Sequence, residues 1–217
     1  MKSTRTFYTP VPGTGSTFSV MTKGGEELLI TTLTREQALN TTKVNNHILI
    51  TSATVLPEKE QCTLLSLGKN QIDYILYPSN VGWKQQSSEV EAVSATVDWK
   101  KIGARRITVH IDQPSLPQVN EYFLRIHYVG DVAMAFINDM MVLDHFYYGA
   151  PWTIGMRRFQ NELKENNMIF YFRPLSKDAP FLMDLPKDAI PDFKQKRTNC
   201  QIKDVEIIAE YKTVIKL

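Results

Sequence analysis

Alternation of apolar and polar side chains is the clearest signal in this chain, and it is strongest between residues 122 and 159. From Tyr122 to Tyr128 apolar and charged residues alternate, which is the period of a strand with one buried face. The next run, Val132 to Ile137, is apolar at every position, so we expect a strand with one face on the core and the other face covered. Asn138-Asp139 tolerates the positive φ angles of a type I′ turn and predicts a hairpin, with Met140 to Leu143 returning antiparallel.

Shorter strand-like runs continue through the rest of the chain, with turn residues about every ten positions as in a β-sandwich. They are predicted over Phe18–Met21, Leu28–Thr32, His47–Ala53, Cys62–Ser66, Ile72–Tyr77, Ala92–Asp98, Arg105–Asp112, Met168–Phe172 and Val205–Ile215. Thr34 and Gln37 form a capping-box pattern, which predicts one short helix through Asn40. No alternation of strands with amphipathic helices is present, so a barrel of parallel strands is excluded from this chain.

The connections are predicted from turn residues. Residues 1–17, with Pro12-Gly13-Thr14-Gly15, are expected to form a plain loop, since no Gly-Lys-Ser/Thr ending of a phosphate-binding loop follows. Pro78-Ser79-Asn80 is expected to be a turn, and the polar stretch after it marks a domain boundary. A long irregular loop is predicted over residues 176–200. The apolar side chains expected to anchor it are Phe181, Leu182, Leu185, Ile190 and Phe193.

These patterns predict an all-β chain of two packed antiparallel sandwich domains, residues 1–90 and 91–217. Formal net charge is +2, so the chain has no basic field of the kind that attracts nucleic acid. No window approaches the roughly 18 apolar residues of a membrane span. Cys62 and Cys200 lie far apart in no zinc-binding pattern, and they either pair or remain buried thiols.

Candidate chemistry is concentrated in one aromatic segment near residue 150. A pyranose presents an apolar C–H face that stacks on Tyr or Trp and hydroxyls that need planar polar partners. The predicted carbohydrate-binding residues are Asp144, His145, Tyr147, Tyr148, Trp152 and Arg157, the first five in a loop over residues 144–152. The competing interpretation is architectural: Trp152 and Phe146 plug the end of the sandwich, while Asp144 and Arg157 satisfy loop backbone or each other.

Other kinds of site have weaker signals. Glycoside hydrolysis needs two facing carboxylates, but the adjacent acidic pairs of this chain lie in polar turn-rich segments, and we assign no catalytic residue. No cofactor is expected. A structural calcium ion could take oxygen donors from Asp131, Asp139 and Asp144, although their spacing is not diagnostic.

Two stretches resemble a known family. VGDVAMAFIND followed by DHFYYGAPWTIGMRRF resembles the jelly-roll region near the C-terminus of bacterial β-galactosidases of glycoside hydrolase family 35, as found in gut Bacteroidetes. ITTLTREQALNTTKV, ILITSATVLPE and YILYPS resemble the all-β region that precedes that jelly roll. The resemblance covers most of residues 25–160.

The resemblance implies a galactose-binding-domain-like jelly roll in the second domain and an extracytoplasmic location. It also implies a non-catalytic accessory region that supports the missing catalytic barrel of a parent chain and binds a galactoside-type glycan weakly through residues 144–157. The alternative is a structural or protein-interaction module without sugar binding. An apolar patch on one sheet face, without an aromatic-lined groove, would favour that alternative.

Overall fold

The computed structural model describes residues 17–78 and 84–217, and these form antiparallel strands with one short α-helix and three 3₁₀ turns. The predicted all-β fold is confirmed. The expected loop around Pro12-Gly13-Thr14-Gly15 and the end of the turn Pro78-Ser79-Asn80 lie outside the described residues. None of the described helices is long and apolar enough to cross a membrane.

The chain forms two compact units. Of the described residues, the first takes in 17–66, 71–78, 84–89 and 213–217, and the second takes in Leu67–Asn70 and Val90–Lys212. The division predicted at residue 90 differs from these units at Val90 and in the segments 67–70 and 213–217.

Short hairpins build the first unit. Its elements are β1 (Thr17–Met21), β2 (Glu27–Thr31), α1 (Arg35–Leu39), β3 (Thr41–Val44), β4 (His47–Thr51), β5 (Thr54–Pro57), β6 (Gln61–Leu67), β7 (Gln71–Tyr77) and β8 (Gln86–Glu89). Strands β3, β4, β7 and β8 form one sheet in the order β3-β4-β7-β8, while β1 pairs with β2 and β5 with β6. The buried core contains Val44, Leu49, Cys62, Leu64, Ile72, Leu76 and Ile215.

The predicted capping box begins α1. The Thr34 Oγ1 atom accepts a hydrogen bond from the Gln37 backbone N–H at 3.1 Å, and the Gln37 side-chain oxygen accepts one from the Thr34 N–H at 2.9 Å. Both backbone donors at the helix start are therefore satisfied by side chains.

Two facing sheets build the second unit. Its strands are β9 (Thr96–Gly103), β10 (Arg106–Asp112), β11 (Val119–Val129), β12 (Val132–Ile137), β13 (Met140–Phe146), β14 (Trp152–Gly155), β15 (Met168–Phe172), β16 (Leu175–Ser176), β17 (Thr198–Asn199) and β18 (Gln201–Lys216). One sheet has the order β13-β12-β15-β10-β9, and in the other β14, β11 and β18 are neighbours.

The core between the sheets follows the predicted alternation. Leu124 and Ile126 of β11 and Phe170 and Phe172 of β15 are all 0 % exposed, and intervening residues on both strands are only partly buried or exposed. Because successive side chains on a strand point to opposite faces, the apolar residues of β12 divide between the core and the outer face. Ala133, Ala135 and Ile137 point inward and are buried, so Phe136 points outward.

The two predicted connections of this unit are also present. Asn138 and Asp139 have φ angles of 49° and 62°, as the type I′ turn requires, and β13 returns antiparallel to β12. The segment after Ser176 contains two short ordered pieces, the 3₁₀ turn Pro180–Asp184 and the β16–β17 pairing. Four of the five expected anchors, Phe181, Leu182, Leu185 and Phe193, pack on the core. The fifth, Ile190, is 41 % exposed, which corrects that prediction.

Candidate functional site

Four of the six predicted sugar-binding residues lie in one aromatic cluster around His145. The Trp152 ring stacks on the His145 ring with centroids 5.2 Å apart and planes 11° apart, and the Tyr148 ring lies 5.3 Å from His145. Tyr128, a residue that the sequence indicated only as core, places its hydroxyl 2.7 Å from His145 Nδ1 and its ring 5.7 Å from Tyr147. We call Tyr128, His145, Tyr147, Tyr148 and Trp152 the aromatic cage.

Strand pairing explains why these residues meet. Tyr128 lies near the end of β11, and Trp152 begins β14, which pairs antiparallel with β11 and places Trp152 opposite Ile126. His145 lies on β13 opposite the buried Ala133, so its ring points toward the core. The loop predicted over residues 144–152 is therefore shorter, because both of its ends belong to strands β13 and β14.

Burial decides what the cage can bind. Trp152 is 5 % exposed, with His145 on its face and the Phe170 ring edge-on at 5.6 Å. Tyr147 is 6 % exposed and donates its hydroxyl hydrogen to the Ala189 carbonyl at 2.9 Å. Since neither ring has a free face, a sugar cannot stack on them. Only Tyr148, 55 % exposed, offers a ring to solvent.

The other two predicted residues lie apart from the cage. Arg157 donates from Nη1 to the Asn120 carbonyl at 2.6 Å, and its backbone N–H donates to Glu121 Oε1 at 2.8 Å. Asn120 and Glu121 begin β11 while Tyr128 is near its end, a separation of roughly 23 Å at about 3.3 Å per residue. Asp144 is exposed on β13 opposite Met134, so its side chain points to the outer sheet face.

The cavity beside Arg157 is too small for a sugar. It is lined by Gln113, Asn120, Glu121 and Tyr122 among others, and its volume is about 20 Å³. That volume holds one or two water molecules. Gln113 Nε2 is buried there without a protein partner among the described residues, which fits a hydrated polar pocket.

The protonation states of the cage follow from burial. Burial lowers the pKa of His145, and the nearby Asp144 carboxylate opposes this shift to a smaller extent. Burial also raises the pKa of Tyr128 well above its usual range, with Tyr147 and Asp131 adding to the shift. Tyr128 therefore keeps its proton, and its hydroxyl forms a hydrogen bond with Nδ1 of a neutral His145 at 2.7 Å.

We expect this pair to make the protein less stable in mild acid. With a lowered pKa in the folded state, His145 binds fewer protons when folded than when unfolded. The free energy of unfolding therefore decreases as the pH falls through the unfolded value of about 6.5 toward the folded value. Urea unfolding of the native chain and of His145→Gln at pH 7.5 and pH 5 measures this effect. The stability of the native chain relative to the variant should drop at pH 5, and a difference that is the same at both pH values contradicts the prediction.

The described part of the chain contains no assembled metal-binding site and no pair of bonded cysteines. Asp131, one of the three possible calcium donors, pairs with Arg173 at 3.3 Å from carboxylate Oδ2 to Nε. No group of three or more His, Cys, Asp or Glu side chains that could hold a metal ion occurs among the described residues. Cys62 and Cys200 are both free thiols.

The sequence patterns did not predict a site on the outer face of the sheet β13-β12-β15-β10-β9. Arg106, Phe136, Asp139, Ile169 and Tyr171 line an open concavity of about 450 Å³ there. Along the edge of the same sheet, Met140, Met141 and Phe146 of β13 are 70 %, 58 % and 68 % exposed. The sequence of β12 is apolar on both faces, which could have indicated an apolar outer face. We expected that face to be covered.

The chain matches no protein-family model, and no curated protein matches it.

Proposed function

We propose that this chain is a non-catalytic accessory region of a carbohydrate-active enzyme similar to the β-galactosidases, and that it acts by docking on a neighbouring catalytic domain. The observation that carries the proposal is the group of exposed apolar side chains on the edge strand β13. Met140, Met141 and Phe146 are more than half exposed, as is Tyr148, the second residue after the strand. We call these four residues the β13 edge.

An edge strand of this composition is unusual for a free surface. The exposed Asp144 and a bulge at Val142 protect its backbone from pairing, as in other natural edge strands, but they leave its apolar side chains uncovered. Here the exposed side chains are two methionines and two aromatics, and both aromatic residues and Met are enriched in protein interfaces. Met adapts its shape to a partner because its side chain is flexible and unbranched.

The aromatic cage supports this role from beneath. His145, on the same strand, is held by stacking on Trp152 and by the Tyr128 hydroxyl, so the position of β13 is fixed before a partner arrives. A rigid edge loses little conformational entropy on binding, which favours association. The burial of Trp152 and Tyr147 is then explained by support of the edge rather than by contact with a glycan.

The proposal is tested by association between two separate chains. The full chain is mixed with the catalytic barrel of a β-galactosidase of the resembled family, and complex formation is followed by sedimentation velocity. We expect a complex, and we expect the double variant Met140→Ser, Phe146→Ser to weaken it at least about tenfold, because truncation of central apolar residues of an interface costs 2 kcal/mol or more.

Met183→Ser is the matched control. Met183 is 84 % exposed but lies in the 3₁₀ turn after β16, away from β13 in the chain. This variant removes the same kind of side chain and should bind like the native chain. Equal binding by the double variant, or no complex with the native chain, overturns the docking proposal.

A further inference from the structure

The concavity on the outer sheet face combines apolar and charged groups in a small area. It is formed by Phe136 of β12, Ile169 and Tyr171 of β15, Arg106 of β10 and Asp139 of the β12–β13 turn. We call these five residues the sheet platform. Its position is set by three neighbouring strands and one tight turn, so the backbone that carries it is held by sheet hydrogen bonds.

Strand register sets the spacing of the two aromatic rings. Phe136 lies directly opposite Ile169, and Tyr171 lies directly opposite Met134. Phe136 and Tyr171 are therefore diagonal neighbours on adjacent strands, about 7–8 Å apart at Cα. Phe136 and Tyr171 are both partly exposed, and together with the exposed Ile169 they give this part of the outer face an apolar character.

Charged groups lie at the border of that surface. The Arg106 guanidinium carbon is 5.8 Å from the centroid of the Tyr171 ring, near the outer limit of a cation–π contact. Asp139 is held by its turn, with a φ angle of 62°. Within the described part of the chain neither Arg106 nor Asp139 forms an ion pair, so their donors and acceptors face solvent.

We propose that the sheet platform binds a pyranose sugar. The apolar C–H face of the ring stacks on Tyr171 and Phe136, the Arg106 guanidinium donates hydrogen bonds to ring hydroxyls, and the Asp139 carboxylate accepts from them. This site uses none of the aromatic-cage residues. It adjoins the β13 edge, because Met141 lies opposite Phe136 on the same sheet face, but it does not require the docking role.

The size of the platform favours a small ligand over a protein partner. A stable protein interface buries about 800 Å² on each partner and involves roughly 20–30 residues a side. The platform has five lining residues and a volume of about 450 Å³, within the range of small-molecule sites. Two charged residues of opposite sign among five also suit a ligand covered with hydroxyls better than an apolar protein surface.

Saturation-transfer NMR on the full chain tests the site with methyl β-galactopyranoside and methyl β-glucopyranoside as probes. We expect saturation of the C–H protons of at least one of them, with a Kd on the order of 1 mM, as for an exposed single-sugar site. Mannitol is the control ligand, because it carries similar hydroxyls without a pyranose face, and it should show no transfer.

Variants locate the binding on the chain. Tyr171→Ala should weaken it about tenfold, and Arg106→Gln should weaken it several-fold while leaving the apolar core untouched, since Arg106 is exposed. Met183→Ala removes an exposed apolar side chain outside the platform, the cage and the β13 edge and should change nothing. No transfer to either glycoside, or binding unchanged in both platform variants, overturns the proposal.

Different variants test the sugar site and the docking role. Tyr171→Ala should leave association with the barrel unchanged, and the double variant of Met140 and Phe146 should leave glycoside binding unchanged. If Tyr171→Ala instead abolishes association with the barrel and the glycosides do not bind, the platform is part of a protein interface and the sugar proposal is wrong.

Discussion

Trp152→Ala should lower the free energy of unfolding by about 3–5 kcal/mol, the usual cost of truncating a buried aromatic residue. Trp152 is 5 % exposed and has His145 and Phe170 in ring contact. Removal of the indole leaves a cavity that the strand backbones of β11, β13 and β14 cannot close. Because domains are commonly stable by only 5–15 kcal/mol, this loss is a large part of the total. Urea unfolding followed by far-ultraviolet circular dichroism measures it.

Tyr148→Ala is the matched control for that measurement. Its ring also contacts His145 but is 55 % exposed, so we expect a loss under about 1 kcal/mol. A loss under 1 kcal/mol for Trp152→Ala would contradict the buried position of the indole. The expected result also bears on glycan binding: a Trp152→Ala chain that binds no sugar reports loss of structure, so variants of exposed residues are needed to test sugar contacts.

Local signals in the sequence predicted the local elements of the fold. The capping box at Thr34 and the type I′ turn at Asn138-Asp139 are determined by residues within a few positions of each other, and both are present. The inward-facing residues of β11 were also predicted, since alternation depends on one strand alone.

Pairing between distant strands could not be predicted in the same way. β15 lies between β10 and β12, and β11 lies between β14 and β18, in an order that depends on packing of the whole unit. Arg157 shows the consequence. It was grouped with Trp152 because they are five positions apart, but β14 runs antiparallel along β11 and carries the chain toward the opposite end of that strand. Proximity in sequence along an extended strand therefore means separation in space.

The candidate sugar-binding residues were predicted from their residue types, but the burial of two of them points to a structural role. Tyr147 and Trp152 are residue types that stack on sugars, but the same rings fill cores. The sequence could not distinguish the two roles because burial of the cage depends on Tyr128, Phe170 and Ala189, from other parts of the chain. The sheet platform was missed for a related reason: its residues come from three strands and a turn between residues 106 and 171.

Gly149→Ala should destabilise the protein by roughly 2–4 kcal/mol through backbone strain and overpacking. Gly149 has a φ angle of +96°, a conformation that residues with a Cβ atom rarely adopt. A Cβ atom added here would lie 2.2 Å from Ala189 Cβ and 3.2 Å from Ala189 Cα, so the segment around Ala189 has to move. That movement breaks the hydrogen bond from the Tyr147 hydroxyl to the Ala189 carbonyl and loosens the cage beneath β13.

Further variants separate strain from clash in this result. Gly103→Ala is the control, since the nearest atom to its added Cβ is Arg106 Cβ at 3.9 Å, and it should change the free energy of unfolding by under about 0.5 kcal/mol. Adding Ala189→Gly to Gly149→Ala removes the atom at 2.2 Å and should restore part of the lost stability, while the strain of the positive φ remains. The single variant Ala189→Gly completes the double-mutant cycle, and thermal and urea unfolding of the five chains measure it. If Gly149→Ala is as stable as Gly103→Ala, the loop after Tyr147 does not pack on Ala189, and the support of the β13 edge by the cage has to be abandoned.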